Sequence, residues 1–295
     1  MKLSGITLAR EAVSNGYPVV ECVRSLLLAC DEVMVNVGDS ADGTREAVLG
    51  IGSPKVALLE EPWDMDLREK GLVLSQETNR AMRACGGDWI LYLQADEIMH
   101  EDDAAALRGL LERLARRESV DGVSLKYLHF YGTADYFQDH FLKWYTRAVR
   151  VVRNESCIVS VGDALKFRKV SGGRAARVRE YRSKLRVYHY GWARRPEVML
   201  KKQKHLDRFW HDDVSLREKY RETREREIYA DLGNLGKFEG SHPAVMREWI
   251  EANRWDFDPM TGKQPPRWVR LMGIILIHPI RKAVVKFWRG LTKSR

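Results

Sequence analysis

Short apolar runs alternate with stretches of helical period along the first part of the chain. Leu3 to Ala9 is apolar with β-branched members and leads into the polar turn Ser14-Asn15-Gly16, which predicts a strand and a loop. Pro18 suits a first helical turn, and Val19, Val23, Leu26 and Leu27 recur on one face as far as Ala29. Glu32 to Val37 reads as a second strand ending in the small polar turn Gly38-Asp39-Ser40-Ala41-Asp42-Gly43-Thr44. Lys55 to Leu59 predicts a third strand. Gly71 to Cys85 predicts a helix, with Leu74, Thr78, Ala81, Met82 and Cys85 at helical spacing and Gly86-Gly87 as its stop. Trp89 to Leu93 is continuously apolar, as a strand is when helices cover both its faces. Strands alternating with helices predict an α/β domain with a mostly parallel sheet, whose ligands bind beyond the carboxyl ends of the strands.

A helix is expected over 102–117, then strands near Gly122 to Phe130, Ala148 to Val152 and Lys184 to Tyr188, with many aromatics between them. From Pro196 the chain turns charged and helical in propensity, and Pro265-Pro266 marks a second break. The expected organisation is a sheet domain over 1–195, a helical extension over 196–264 and a basic amphipathic tail over 265–295.

Charge refines this division. The net charge is +9, and from Pro259 onward there are nine basic residues and no acidic one, which leaves 41 basic against 41 acidic residues in the rest. The basic excess therefore belongs to the tail, where Ile274 to Ile277 and Val284 to Trp288 are interleaved with arginine and lysine. Such a segment either lies in a membrane interface or docks on the domain with a solvated basic face. A neutral body without a recognisable module argues against nucleic-acid binding. Cys22, Cys30, Cys85 and Cys157 form no C-x-x-C pair and read as reduced thiols. With Arg10 and Glu11 interrupting the first apolar run, and no run approaching the roughly 18 apolar residues of a spanning helix, the expectation is a cytoplasmic protein, peripheral on the membrane if the tail binds it.

The chemistry concentrates at the end of the Trp89 strand, in Leu93-Gln94-Ala95-Asp96-Glu97. Two adjacent carboxylates at a buried strand exit are costly to leave unpaired. A divalent cation shared with a diphosphate removes that cost and stabilises charge on a departing diphosphate. The plainer use of Asp96 and Glu97 is to begin the next helix, since acids favour helix N-termini.

A second strand ending in Asp42-Gly43-Thr44, a helix bearing Asn79 before Gly87-Asp88-Trp89-Ile90-Leu91, the acidic motif after it, and a later His189-Tyr190-Gly191-Trp192 together resemble the family 2 glycosyltransferases of GT-A fold. The resemblance implies a Rossmann-like GT-A domain that binds a nucleotide-sugar, with Mn²⁺ or Mg²⁺ as cofactor. It assigns Asp96 to the metal-contacting position of the family's acidic motif, with Glu97 beside it and His189 completing the metal shell. Asp39, Asn79, Gln94 and Asp96 are the implied donor-binding residues. Gln94 stands where the family has its first aspartate, and Asp39 is shifted in register from the family's acid. For an inverting transfer, a carboxylate must take the acceptor's proton; Asp163 is the candidate base, with Asp139 and Glu155 as competitors. His189 equally reads as a packed or surface histidine, and His205, His211, Asp212 and Asp213 carry no expected ligand role.

The leading expectation is transfer of a sugar from a nucleotide-sugar donor to a hydroxyl of a saccharide, lipid-linked or protein acceptor. A sugar nucleotidyltransferase of similar fold is the alternative within the fold, although the first strand leads into Arg10-Glu11 without a glycine-rich triphosphate loop. A non-catalytic scaffold at the membrane surface is the alternative outside it, favoured by Gln94.

Overall fold

The computed structural model describes residues 1–67, 69–138, 144–221, 228–229 and 235–259. Its centre is a mixed sheet, parallel in its first half. Strands β1 (Leu3–Leu8), β2 (Glu32–Asn36), β3 (Val56–Leu59) and β4 (Trp89–Tyr92) run parallel, with Gly5 of β1 opposite Val33 on one side and Leu91 on the other. All six residues of β1 and all four of β4 are buried, which explains their unbroken apolar character. Side chains alternate between two cores. Leu91 and Leu93 meet helices α1 (Val19–Ala29) and α4 (Glu101–Ala115), whereas Ile6, Ile90 and Tyr92 pack with Val73, Ala81 and Met82 of α3 (Leu72–Arg83). A short helix α2 (Thr44–Leu49) follows the turn after β2. The expected α/β architecture is present, with β1 to β4, α1, α3 and α4 each within a few residues of its predicted bounds, whereas the two-residue strand at Glu97–Ile98 was not expected.

The second half departs from the parallel pattern. Strand β8 (Arg147–Arg153) runs antiparallel between β4 and β6 (Gly122–Tyr131), and β7 (Thr133–Gln138) pairs with β6 and with β13 (Leu235–Lys237). The long strand β12 (Glu180–Trp192) lies between β6, to which it is parallel, and the two-residue β5 (Glu97–Ile98). This register puts His189 opposite His129 on one side and Glu97 on the other. Helix α5 (Pro196–Asp207) then crosses back over the strand ends, followed by α6 (Asp213–Lys219) and α7 (Arg247–Ala252). Because α5 buries Met199, Lys202 and His205, residues 196–209 pack as part of the body that holds the sheet. None of the helices among the described residues is long and apolar enough to cross a membrane. The basic tail, Arg68, Asp139 and His140 lie outside the described residues.

A separate three-stranded antiparallel sheet, β9 (Ile158–Val161), β10 (Lys166–Ser171) and β11 (Arg174–Arg177), stands beside the main one. Gly172 and Gly173 join β10 to β11, and both have positive φ, 54° and 76°, the backbone that a two-residue hairpin of matching twist demands. One carboxylate clamps this sheet in place. Asp121, at the start of β6, accepts from the Lys169 ammonium at 2.9 Å and from the Arg179 guanidinium through both of its oxygens at 2.8 Å. The Arg179 bonds foremost, then Lys169, outweigh burial and hold the Asp121 carboxyl well below its usual 3.8. A depressed carboxylate stabilises the folded state above its unfolded value, and that stability is lost as pH falls through the folded value. Wild type and Asp121→Asn are therefore expected to differ most in urea midpoint near neutrality and to draw progressively together as pH falls below about 4 toward the depressed folded value; a gap that persists undiminished in acid would refute this role.

Candidate active site

A cleft of about 340 Å³ opens at the carboxyl ends of β1 and β4, where a sheet of this kind places its ligands. Ala9, Arg10 and Ala12 follow β1, Gln94 and Asp96 follow β4, and His189 and Trp192 come from the end of β12. Helix α5 supplies Lys202, His205 and Leu206 as the facing wall, and Asp163 enters from the turn between β9 and β10. Aromatic side chains, among them Tyr17, Trp63, Trp144 and Phe209, line much of the rest.

The two neighbouring acids point to different places. Glu97 turns inward and is fully buried, as is Arg150 of β8. The guanidinium of Arg150 bonds both Glu97 oxygens at 2.7 and 2.8 Å, and the Tyr127 hydroxyl and the backbone N–H of Gln94 donate to the same carboxylate. Its acceptor capacity is thereby taken up, and it does not line the cleft. The expected metal role for Glu97 is not what this arrangement provides, because β5 pairs with β12 and turns the side chain into the sheet.

Asp96 does face the cleft. The Lys202 ammonium, only 3% exposed, donates to Asp96 Oδ2 at 2.7 Å and to the Gly191 carbonyl at 2.7 Å, and sits 4.7 Å from the centre of the Tyr17 ring. Burial alone would raise the Asp96 carboxyl, but the cations Lys202, foremost, and Arg194 hold it well below the usual carboxylate range. Burial lowers Lys202 to about 8, with Asp96 opposing the shift. Gly191 is required by close approach: a Cβ there would stand 2.4 Å from His189 Nε2 and 2.9 Å from Asp96 Oδ2.

A chain of hydrogen bonds settles how His189 presents itself. The Tyr145 carbonyl lies 2.7 Å from His129 Nε2 and accepts only, so that nitrogen carries the proton. Burial pushes the imidazole of His129 down to about 4 and that of His189 to about 3, so both are neutral. His129 Nδ1 is then an acceptor, and the His189 Nδ1–H donates to it at 2.9 Å. The Nε2 of His189 is left bare, 3.6 Å from Asp96 Oδ1. Two electron-rich atoms side by side form a pair suited to a cation or a donor hydrogen.

The remaining expected residues are dispersed. Gln94 and Asp163 line the cleft, and Asp163 Oδ1 accepts from the Leu165 amide at 3.4 Å. Asn79 bonds the backbone N–H and carbonyl of Ser160 at 2.7 and 3.0 Å, tying α3 to β9 away from the cleft. Asp39 is exposed and pairs with Arg10, which itself lines the cleft. Glu155, a competitor for the base, is bound to Lys169. Lys202, Arg150 and His129 were not among the residues expected from sequence. For Lys202 a signal existed: it interrupts an apolar stripe that runs from Met199 and Leu206 of α5 to Phe209 just beyond it, and a lysine on such a stripe needs a buried partner.

No protein-family model matches the chain, and comparison with curated protein sequences gives no match. Among solved structures the chain is similar to S. aureus TarS, at 15% identity over 77% of this chain and 41% of that one, with a TM-score of 0.40. A shorter form of TarS, residues 1-349 in complex with UDP-GlcNAc, aligns at 16% identity over 77% of this chain and 69% of that one, TM-score 0.41. Mannosyltransferase PcManGT from Pyrobaculum calidifontis, in complex with GDP-Man and Mn²⁺, aligns at 23% identity over 42% of this chain and 35% of that one, TM-score 0.32. The chain thus spans less than half the length of full TarS, and identities this low transfer neither a substrate nor the role of a residue.

Replacing Glu97 distinguishes an internal ion pair from a metal ligand. Glu97→Ala strands Arg150 without a counter-charge, and a loss of about 3–5 kcal/mol in unfolding free energy is expected. Unchanged stability together with lost Mn²⁺ binding, read by denaturant titration and electron paramagnetic resonance, would restore the ligand role.

Proposed function

We propose that this protein transfers a sugar from a nucleotide-sugar donor to a hydroxyl acceptor, in the manner of the family 2 glycosyltransferases its motifs resemble. The observation that carries the reading is the cleft at the ends of β1 and β4, with Asp96 Oδ1 and His189 Nε2 facing it side by side. Enclosed aromatic walls with a few convergent polar groups suit a ligand of this size and mixed polarity.

Mn²⁺ or Mg²⁺ is the group the acidic motif implies, and the residues present fit it. A bare imidazole nitrogen beside a carboxylate oxygen is a donor pair of the right chemistry, and such ions take few protein ligands, leaving their other positions to phosphate oxygens and water. Asp96 and His189 would hold it; Glu97 would not. Bound there, the cation supplies positive charge against the diphosphate as it leaves.

The chain's own residues have distinct tasks in this reading. Lys202 fixes the orientation of Asp96 by occupying its second oxygen, and His129 fixes the tautomer of His189. Arg10, at the mouth, is placed to exchange Asp39 for a phosphate oxygen. Trp144, Trp192 and Phe209 keep water from the reacting centre. Asp163 takes the proton of the acceptor hydroxyl as its oxygen attacks the anomeric carbon from the face opposite the diphosphate, whose bond to that carbon breaks with the diphosphate carrying off the electron pair; this single displacement inverts the centre.

Asp96→Ala is a poor test, since it leaves the Lys202 ammonium buried without a partner. Asp96→Asn retains an oxygen for Lys202 and removes the charge. In calorimetric titrations with UDP-, GDP- and TDP-sugars and Mn²⁺, wild type is expected to bind one of the series. Asp96→Asn should keep its circular dichroism and lose about a hundredfold or more in turnover of that donor. Full turnover by the Asn variant, or wild-type indifference to every donor, would reject the proposed function.

A further inference from the structure

We infer that the outward face of the β9–β10–β11 sheet is a docking surface for an anionic lipid bilayer. The pairing register defines that face. Lys166 lies opposite Val161, Arg168 opposite Val159 on one side and Arg177 on the other, and Val170 opposite Ala175. Successive residues of a strand point to opposite faces, so these seven share one side, and the burial of Ile158, Ser160 and Phe167 shows that the other side faces the protein.

The two faces treat charge differently. On the inward side Lys169 is matched by Asp121 and Glu155. On the outward side Lys166, Arg168 and Arg177 have no carboxylate partner among the described residues, and Arg168 and Arg177 are direct cross-strand neighbours, an arrangement that is unfavourable unless a negative partner lies across it. Between the cations stand only aliphatic side chains, Val159, Val161, Val170 and Ala175, and Val170 is 36% exposed. Cations interleaved with small aliphatic groups on one exposed sheet face match a layer of negative headgroups over hydrocarbon. No aromatic side chain on this face offers a platform for a nucleic-acid base.

The location gives the surface a use. The turn between β9 and β10 carries Asp163 and Leu165, both of which line the cleft, so a bilayer seated on this sheet brings hydroxyls at headgroup level to the cleft's rim. Docking itself does not rest on the sugar-transfer reading, and the two fail separately.

The test uses the full chain and sedimentation with phosphatidylcholine vesicles, pure or containing about one third phosphatidylglycerol. Binding only to the anionic vesicles, weakened by salt, is expected. Lys166→Gln/Arg168→Gln/Arg177→Gln should lower that affinity about a hundredfold, at roughly fivefold per basic residue near the surface, with circular dichroism, melting temperature and nucleotide-sugar affinity unchanged. A second variant, Arg281→Gln/Lys282→Gln/Lys286→Gln, separates this face from the basic C-terminal segment. Wild-type indifference to anionic vesicles would overturn the inference. So would loss of binding in the second variant alone, or a face that prefers an oligonucleotide or heparin to vesicles.

Discussion

Two consecutive carboxylates at the end of β4 are both withdrawn from bulk water, and the structure depends on each finding a separate cation. Glu97 takes Arg150 and Asp96 takes Lys202, at 2.7 Å in both cases. Removing charges from water is expensive, and the attraction between partners offsets it only when geometry and supporting hydrogen bonds are good. Here Tyr127 and the backbone N–H of Gln94 complete the first pair, and the Gly191 carbonyl completes the second. The first pair joins β5 to β8 across the sheet. The second joins the strand end to α5. Together they decide that one acid belongs to the interior and the other to the cleft.

Adjacency in sequence carried no hint of this division. Gln94-Ala95-Asp96-Glu97 is legible as an acidic strand exit because Trp89 to Leu93 is so plainly a covered strand. Which acid faces outward depends on the antiparallel pairing of β5 with β12, formed between Ile98 and Tyr188 and between Glu97 and His189, far apart in the chain. The parallel half of the sheet was legible for the opposite reason: its signals are local, a buried strand followed by a helical stripe. Strands β7, β9, β10 and β11 escaped notice because their residues are short runs of mixed polarity, such as Lys-Phe-Arg-Lys-Val-Ser, whose strand character comes from their partners. The same holds within the candidate site. Asp96, Gln94, His189 and Asp163 line one cleft as their motifs suggested, whereas Asn79 was drawn to the Ser160 backbone and Asp39 to Arg10.

Inward-facing cations are held by carboxylates, as Lys169 and Arg179 are on Asp121, or by backbone carbonyls, as Arg194 is on those of Asn15 and Tyr190. On the outer side of the small sheet, Arg168 and Arg177 have no carboxylate among the described residues and stand beside aliphatic neighbours. A balance of 41 against 41 outside the last 37 residues therefore conceals a strong segregation, which a whole-chain average cannot express.

Gly191 and Lys202 lie on one continuous stretch that leaves β12 and returns as α5, and the ammonium at its far end grips both the carboxylate beneath and the carbonyl where the stretch began. The floor and the wall of the cleft are thus a single closed buckle. Swinging α5 away to admit or release a bulky molecule would break both bonds and part a buried cation from its anion. A cleft that fills with α5 left in place is therefore the cheaper arrangement, so the buckle favours exchange that does not move that wall.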